Sequence, residues 1–284
     1  MYALARNNVR ILDLHLLRLP EDCIAQQLTR FERLGFVDLS WVQMPSTILF
    51  EDYGNVLLRH VKTLKGLSLR DTGVSRGTET ISGLVQLSNL EYLDISKPSG
   101  NHHTCFDRIE INNLHKLTKL VWINLSGNSE VSDTTVMMIC KGIPALKHIG
   151  LATCPIASVA MTYLSNLALQ TLDINGCKLI TDESFAGLLD VRTSRCAQNI
   201  ETLLCSFLHN PTRVTSNFLL DLPNLRMIEM RMTAVCPSVA KILASKLHMA
   251  IFSHTDQLEH QRTPDVYYSY GADNVMMDHL SWPY

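Results

Sequence analysis

Three groups of residues could do chemistry. Gly73-Val74-Ser75-Arg76-Gly77 spells G-x-S-x-G, the spacing that places a nucleophilic serine on a tight turn between a strand and a helix. His102, His103 and Cys105 offer imidazole and thiolate donors to a metal ion. Asp13, Asp38, Asp94, Asp173 and Glu229 recur at one position of a repeating pattern and could form an acidic column.

The first two groups lack their supporting context. Ser75 lies several residues past the nearest apolar strand pattern, and no alternation of parallel strands with long helices surrounds it. We read Gly73–Gly77 as a turn rich in Gly and Ser. His102-His103-x-Cys105 has no fourth ligand at metal spacing and reads as a solvated loop. There is no phosphate loop, dinucleotide fingerprint or zinc pattern. The sequence reading is therefore of a non-enzymatic protein with no cofactor and no metal.

The acidic column belongs to a repeat. The spacing L-x-x-L-x-L occurs at Leu64/Leu67/Leu69, Leu90/Leu93/Ile95, Leu120/Ile123/Leu125, Leu146/Ile149/Leu151 and Leu169/Leu172/Ile174. Looser copies begin at Val9, Leu34, Ile200, Leu225 and Leu247. The middle anchors are Leu12, Val37, Leu67, Leu93, Ile123, Ile149, Leu172, Leu203, Ile228 and Ala250. They advance by steps from 22 residues (228 to 250) to 31 residues (172 to 203). Alternate residues of a strand face opposite sides, so the second and third anchors of each copy point inward together. One such strand cannot bury its apolar side, but a stack can. The period is that of leucine-rich repeats. The expected fold is an α/β leucine-rich-repeat solenoid of about ten repeats, with a curved parallel sheet on the concave face and short helices on the convex face.

Turn chemistry agrees. Asn128, Cys154 and Cys177 each stand three residues past the last anchor, where a buried side chain can cap backbone groups of the turn. Val131-Ser132-Asp133 and Ile180-Thr181-Asp182 are helix-start signals ahead of the apolar runs Val136–Ile143 and Phe185–Leu189. Val159–Leu167 supplies another helix. The predicted domains are residues 1–263, the solenoid, and residues 264–284, a non-repeating tail. The tail could cap the end of the core, dock elsewhere or begin a longer domain.

With a net charge of −2 and a pI near 6.6, the chain has no overall basic field suited to nucleic acid. Arg6, Arg10 and Asp13 interrupt any apolar signal-peptide core. Ile149–Leu172 is uncharged, but Pro155 and its polar residues fit the repeat register and argue against a membrane span. The eight cysteines form no CxxC pair. They imply a reduced, intracellular location, cytoplasmic or nuclear.

The stretches LSNLEYLDISKP and LTKLVWINLSGNSEVSDTTVMMICKGIPALKHIGL resemble the leucine-rich region of the ZYG-11/ZER-1 family, substrate receptors of cullin-2 ubiquitin ligases. LPEDCIAQQLTRF (Leu19–Phe31) is similar to the segment ahead of that family's repeats. F-box leucine-rich-repeat proteins share the Cys-containing turn and the I-T-D start, so they are a competing resemblance. The family's armadillo-type repeats, which recognise N-terminal glycine degrons, have no counterpart among these residues, and no degron-binding residue carries over. The resemblance implies a substrate-recruiting or scaffolding subunit, with Elongin C, cullin-2 and a ubiquitination substrate as partners. The alternative is a leucine-rich-repeat binding or structural protein with no ligase link.

The binding face is expected on the outward side of the strands, through Asp38, Arg70, Tyr92, Asp94, Trp122, Asn124, His148, Asp173, Glu229 and Arg231. Tyr92 and Trp122 fall one repeat apart and could form an aromatic hot spot. The carboxylates would favour a partner with basic groups, unless they only solvate the sheet or cap turns.

Overall fold

The computed structural model describes residues 9–17, 24, 28–42, 56–72, 79–97, 108–208, 218–231 and 237–253. Ser75, the His102/His103/Cys105 group and the tail 264–284 lie outside these residues.

Each L-x-x-L-x-L copy contributes one short strand. They are β1 (Ile11–Asp13), β2 (Phe36–Asp38), β3 (Gly66–Ser68), β4 (Tyr92–Asp94), β5 (Trp122–Asn124), β6 (His148–Gly150), β7 (Thr171–Asp173), β8 (Thr202–Leu204), β9 (Met227–Arg231) and β10 (Met249–Ser253). All run parallel in one sheet whose spatial order is the chain order. The middle anchors meet in a single unbroken ladder from Leu12 to Ala250, in the expected register. Leu93, Ile123, Ile149 and Leu172 are fully buried in it.

The returns between strands carry short helices, including Glu79–Leu84, Asp133–Gly142, Ser158–Leu164, Asp182–Leu189 and Pro237–Lys246. Asp133–Gly142 packs on Ser158–Leu164, which packs on Asp182–Leu189. Neighbouring strands sit ~4.8 Å apart and packed helices ~8–10 Å apart, so a stack of such units bends with the sheet inside. The uncharged run from Ile149 to Leu172 is one repeat: β6, a helix and β7. No helix among the described residues is long and apolar enough to cross a membrane.

Capping follows the expected positions. Thr181 Oγ1 accepts from the Ser184 amide at 3.3 Å, and the Ser132 amide donates to Thr135 Oγ1 at 3.2 Å. Asn128 Nδ2 donates to the carbonyls of Ile95 and Leu125 at 3.0 and 2.8 Å. Cys154 and Cys177 donate their thiols to Leu125 and Leu151 at 3.3 and 3.1 Å. In all three cases the third anchor of the preceding copy gains a donor for its carbonyl. Thr72 at the same offset donates at 2.9 Å to Leu69, the third anchor of its own copy, as Asn128 does to Leu125, and is a turn residue that the Asn/Cys rule misses. Cys177 is buried and free, and burial pushes its thiol well up.

One residue earlier in the turn the backbone turns left-handed. Leu16, Trp41, Asp71, Thr153 and Phe207 have φ between 52° and 63°, and Gly127 and Gly176 have 78° and 68°. Each non-glycine there carries a strain of order 1–3 kcal/mol. The backbone tolerates it because these amides extend the ladder beyond the strands: Trp41 donates to Arg70 at 2.8 Å and Phe207 to Arg231 at 2.7 Å. Gly127 has a second reason to be glycine, since a Cβ there would run into the Lys97 carbonyl.

Candidate protein-binding face

Three outward columns cross the sheet, and the structure treats them differently. The first runs through Phe36, Gly66, Tyr92, Trp122, His148, Thr171 and Thr202, neighbours in strand register. Phe36 and Tyr92 lie two strands apart, roughly 10 Å along the sheet. Their ring centroids are nonetheless 6.0 Å apart, tilted by 41°. Gly66 between them has no side chain, so the two rings close over it. Trp122 follows Tyr92 on the next strand, and all three aromatics are half-buried. The expected Tyr92/Trp122 pair is thus part of a longer stripe. Its third ring, Phe36, was visible in the sequence as an outward residue, but its contact across a glycine was not. His148 follows Trp122 and shares a 2.9 Å hydrogen bond with Thr171 Oγ1. Burial and the adjacent Lys147 hold its pKa below the usual imidazole value.

The second column holds the carboxylates, and most of them turn away from solvent. Asp38, Asp94, Asn124 and Asp173 each accept, through one side-chain oxygen, from the amide two residues on: Ser40 (2.8 Å), Ser96 (2.8 Å), Ser126 (3.1 Å) and Asn175 (3.0 Å). This is the Asx turn, in which a short polar side chain imitates a backbone turn. Asp94, Asn124 and Asp173 are 6 %, 0 % and 3 % exposed. Burial raises the pKa of Asp94 against the opposing pull of Ser96 and Arg70. Burial also carries Asp173 to about 7, reinforced by Glu229 and opposed by the Asn175 amide. Glu229 is buried and shifted upward as well, with Arg231 opposing at 3.0 Å. Of the carboxylates in the expected binding set, only Asp38 is half-exposed. Gly150 interrupts the column because Asn124 lies across it, and a Cβ at Gly150 would meet the Asn124 amide.

The third column is mostly small and hydroxylic. Ser40 and Ser68, its neighbour from the second column, share a 2.6 Å hydrogen bond. Arg70 stands out. Its guanidinium lies 5.9 Å from the ring centroid of Trp41, a residue that sequence reasoning did not select because it sits in the turn, outside the strand columns. Among the described residues, no group of three or more His, Cys, Asp or Glu side chains could hold a metal.

A single parallel sheet in chain order, one apolar ladder and a turn capped by Asn or Cys define a leucine-rich-repeat protein. Solved structures agree on the fold. The chain is similar to a chain of the yeast Rad7 and Elc1 complex (TM-score 0.55, 14 % identity, covering 91 % of this chain and 80 % of that one). It is also similar to LegL7, a leucine-rich-repeat-containing protein from Legionella pneumophila (TM-score 0.52, 16 % identity, 90 % and 86 % covered). No protein-family profile matches. Among curated proteins, "Antagonist of mitotic exit network protein 1" of Candida glabrata is 29 % identical over 212 residues, 61 % of this chain. The match spans only 38 % of that relative's length.

Proposed function

We propose that the chain is a non-enzymatic protein-recognition module that recruits a substrate to, or scaffolds, a cullin-2-type ubiquitin ligase, with Elongin C and cullin-2 as its partners there. The observation that carries recognition is the half-buried Phe36–Tyr92–Trp122 stripe on the concave sheet. Rings held in place on short strands offer large contact area at little entropic cost, as interface hot spots do. Tyr92, Trp122, His148, Asp38, Arg70 and Arg231 form the accessible part of the face. Asp94, Asn124, Asp173 and Glu229 act as the scaffold beneath it. The ligase setting is supported by the resemblance of the stretches between Leu87 and Leu151 to the ZYG-11/ZER-1 repeats. A fold neighbour solved together with a second protein, Elc1, fits a subunit role. A cytoplasmic or nuclear location fits Cys140, Cys154, Cys177, Cys196 and Cys205, all buried and free. The repeats as one domain to residue 263, followed by a separate tail, remain part of this reading.

The test is co-purification. Tagged chain mixed with Elongin C and cullin-2 should retain both on a sizing column, and loss of both from the complex would sink the ligase setting. The curated relative's name favours a second reading, an inhibitor-like binder without a ligase link. Under that reading Trp122→Ala still abolishes capture of the target, while Elongin C and cullin-2 are not retained.

A further inference from the structure

We infer that the partner segment held on the aromatic stripe is acidic. The inference rests on the concave-face reading above and names the chemistry of what binds there.

All ten strands run parallel, so every turn that leads into a strand lies along one edge of the sheet. The first column, with its aromatic rings, opens directly onto that edge. Along the first six repeats, taken together, the edge is not neutral. Within two residues of the first anchor stand Arg10, Arg33, Lys62, Lys65, Lys119 and Lys147, all exposed. Against them are Glu32 and Glu91, the latter paired with Lys65 at 2.9 Å. In the seventh to ninth copies the matching residues are Gln170, Glu201 and Arg226, the last two 3.8 Å apart. The largest excess of positive charge lies on the part of the edge that borders Phe36, Tyr92, Trp122 and His148, and the far end of the sheet adds only Lys246, beside the first anchor of the tenth copy.

Several of the carboxylates that would have balanced it do not face the partner. Asp94 and Asp173 are buried and bonded to their own turns. A partner with basic groups, the expectation from the sequence, would therefore meet more cations than carboxylates.

A polypeptide fits this surface better than a nucleic acid. The accessible floor still includes Asp13, Asp38 and Glu91, which would repel a backbone bearing a charge at every residue. A peptide can set an aromatic or aliphatic residue on the stripe and its carboxylates toward the edge only where cations stand.

Random dodecapeptides displayed on phage, selected on the full chain, test this. Enriched peptides should carry Asp or Glu beside an aromatic or aliphatic residue. A synthetic copy of the best should bind about tenfold or more weakly to the Lys62→Glu/Lys119→Glu/Lys147→Glu chain. Lys241→Glu, an exposed cation on the last helix, should leave its affinity unchanged. Enrichment of basic or uncharged peptides, or unchanged affinity in the triple variant, overturns the inference. Peptides that lose binding to Trp122→Ala but not to the triple variant leave the stripe standing and remove only the acidic partner. Peptides that ignore both variants, or the absence of any enrichment, count against the face itself. Displacement of the peptide by a single-stranded oligo-dT at equal concentration reassigns the surface to nucleic acid.

Discussion

The first six repeats and the last four share a backbone and differ in what their outward side chains do. Both halves stack the same ladder, from Leu67 and Leu93 on one side to Leu172 and Leu203 on the other. In the first half, Phe36, Tyr92 and Trp122 stand out from the sheet and cations line the adjoining edge. In the second, Thr171 is buried against His148, Asp173 bonds its own turn, and Glu229 is closed by Arg231. Both halves satisfy second-column side chains in their own turns, and the first alone adds an aromatic stripe bordered by an excess of exposed cations. In a solenoid each repeat answers mainly to its neighbours, so a surface can be specialised locally without altering the stack.

Four measurements can break or sharpen this contrast. The largest effect tests the shared part. Leu93→Ala and Leu172→Ala, one in each half, should each lower stability by ~2–5 kcal/mol in denaturant titrations. A loss below ~1 kcal/mol in either half would mean that its ladder is not a close-packed core.

The second concerns the last four repeats. The folded carboxyl of Asp173 titrates at about 7 and an unfolded aspartate near 3.8, so the native chain holds an extra proton between those values. The resulting stability is fully present below about pH 4 and is lost as the pH rises through 7. Melting temperature should therefore fall between pH 5 and pH 8, and Glu229, shifted the same way, adds to the fall. Asp173→Asn keeps an acceptor for the Asn175 amide, as Asn124 does for Ser126. It should raise the melting temperature at pH 8 and flatten the slope. An unchanged slope would place the carboxyl in water.

Third, Gly127→Ala combines a left-handed φ with a collision at Lys97 and should cost ~1–3 kcal/mol. The same change at Gly187, in a helix with open space around it, should cost nothing or stabilise. Equal effects at the two sites would refute the turn geometry.

The smallest stability change carries the largest functional one. Trp122→Ala, at a half-exposed position, should shift stability by ~1 kcal/mol or less yet weaken partner binding at least tenfold. Thr202→Ala, on the first column of the other half, should do neither. If Thr202→Ala weakens capture as much as Trp122→Ala, the interface extends over both halves.

The pattern of anchors was sufficient for the stack. Alternation fixes which residues of a strand share a face, and ten copies with apolar residues at the same three offsets admit one register, which the ladder from Leu12 to Ala250 follows. The helix starts at Ser132 and Thr181 and the interior turn residues Asn128, Cys154 and Cys177 were legible for the same reason: each depends on chemistry within one repeat or between adjacent ones. The outward columns were legible as positions but not as surfaces. Whether Asp94 faces a partner or its own Ser96 amide depends on how closely neighbouring strands cover it, and burial decided for the amide. Phe36 meets Tyr92 because the stack sets Gly66 between them, a contact 56 residues apart along the chain (36 to 92). The basic edge arises in the same way, from turns scattered along the sequence that parallel strands bring into one line. Local spacing determined the fold, since every repeat restates it. The surface depended on distances between repeats, which exist only once the chain is stacked.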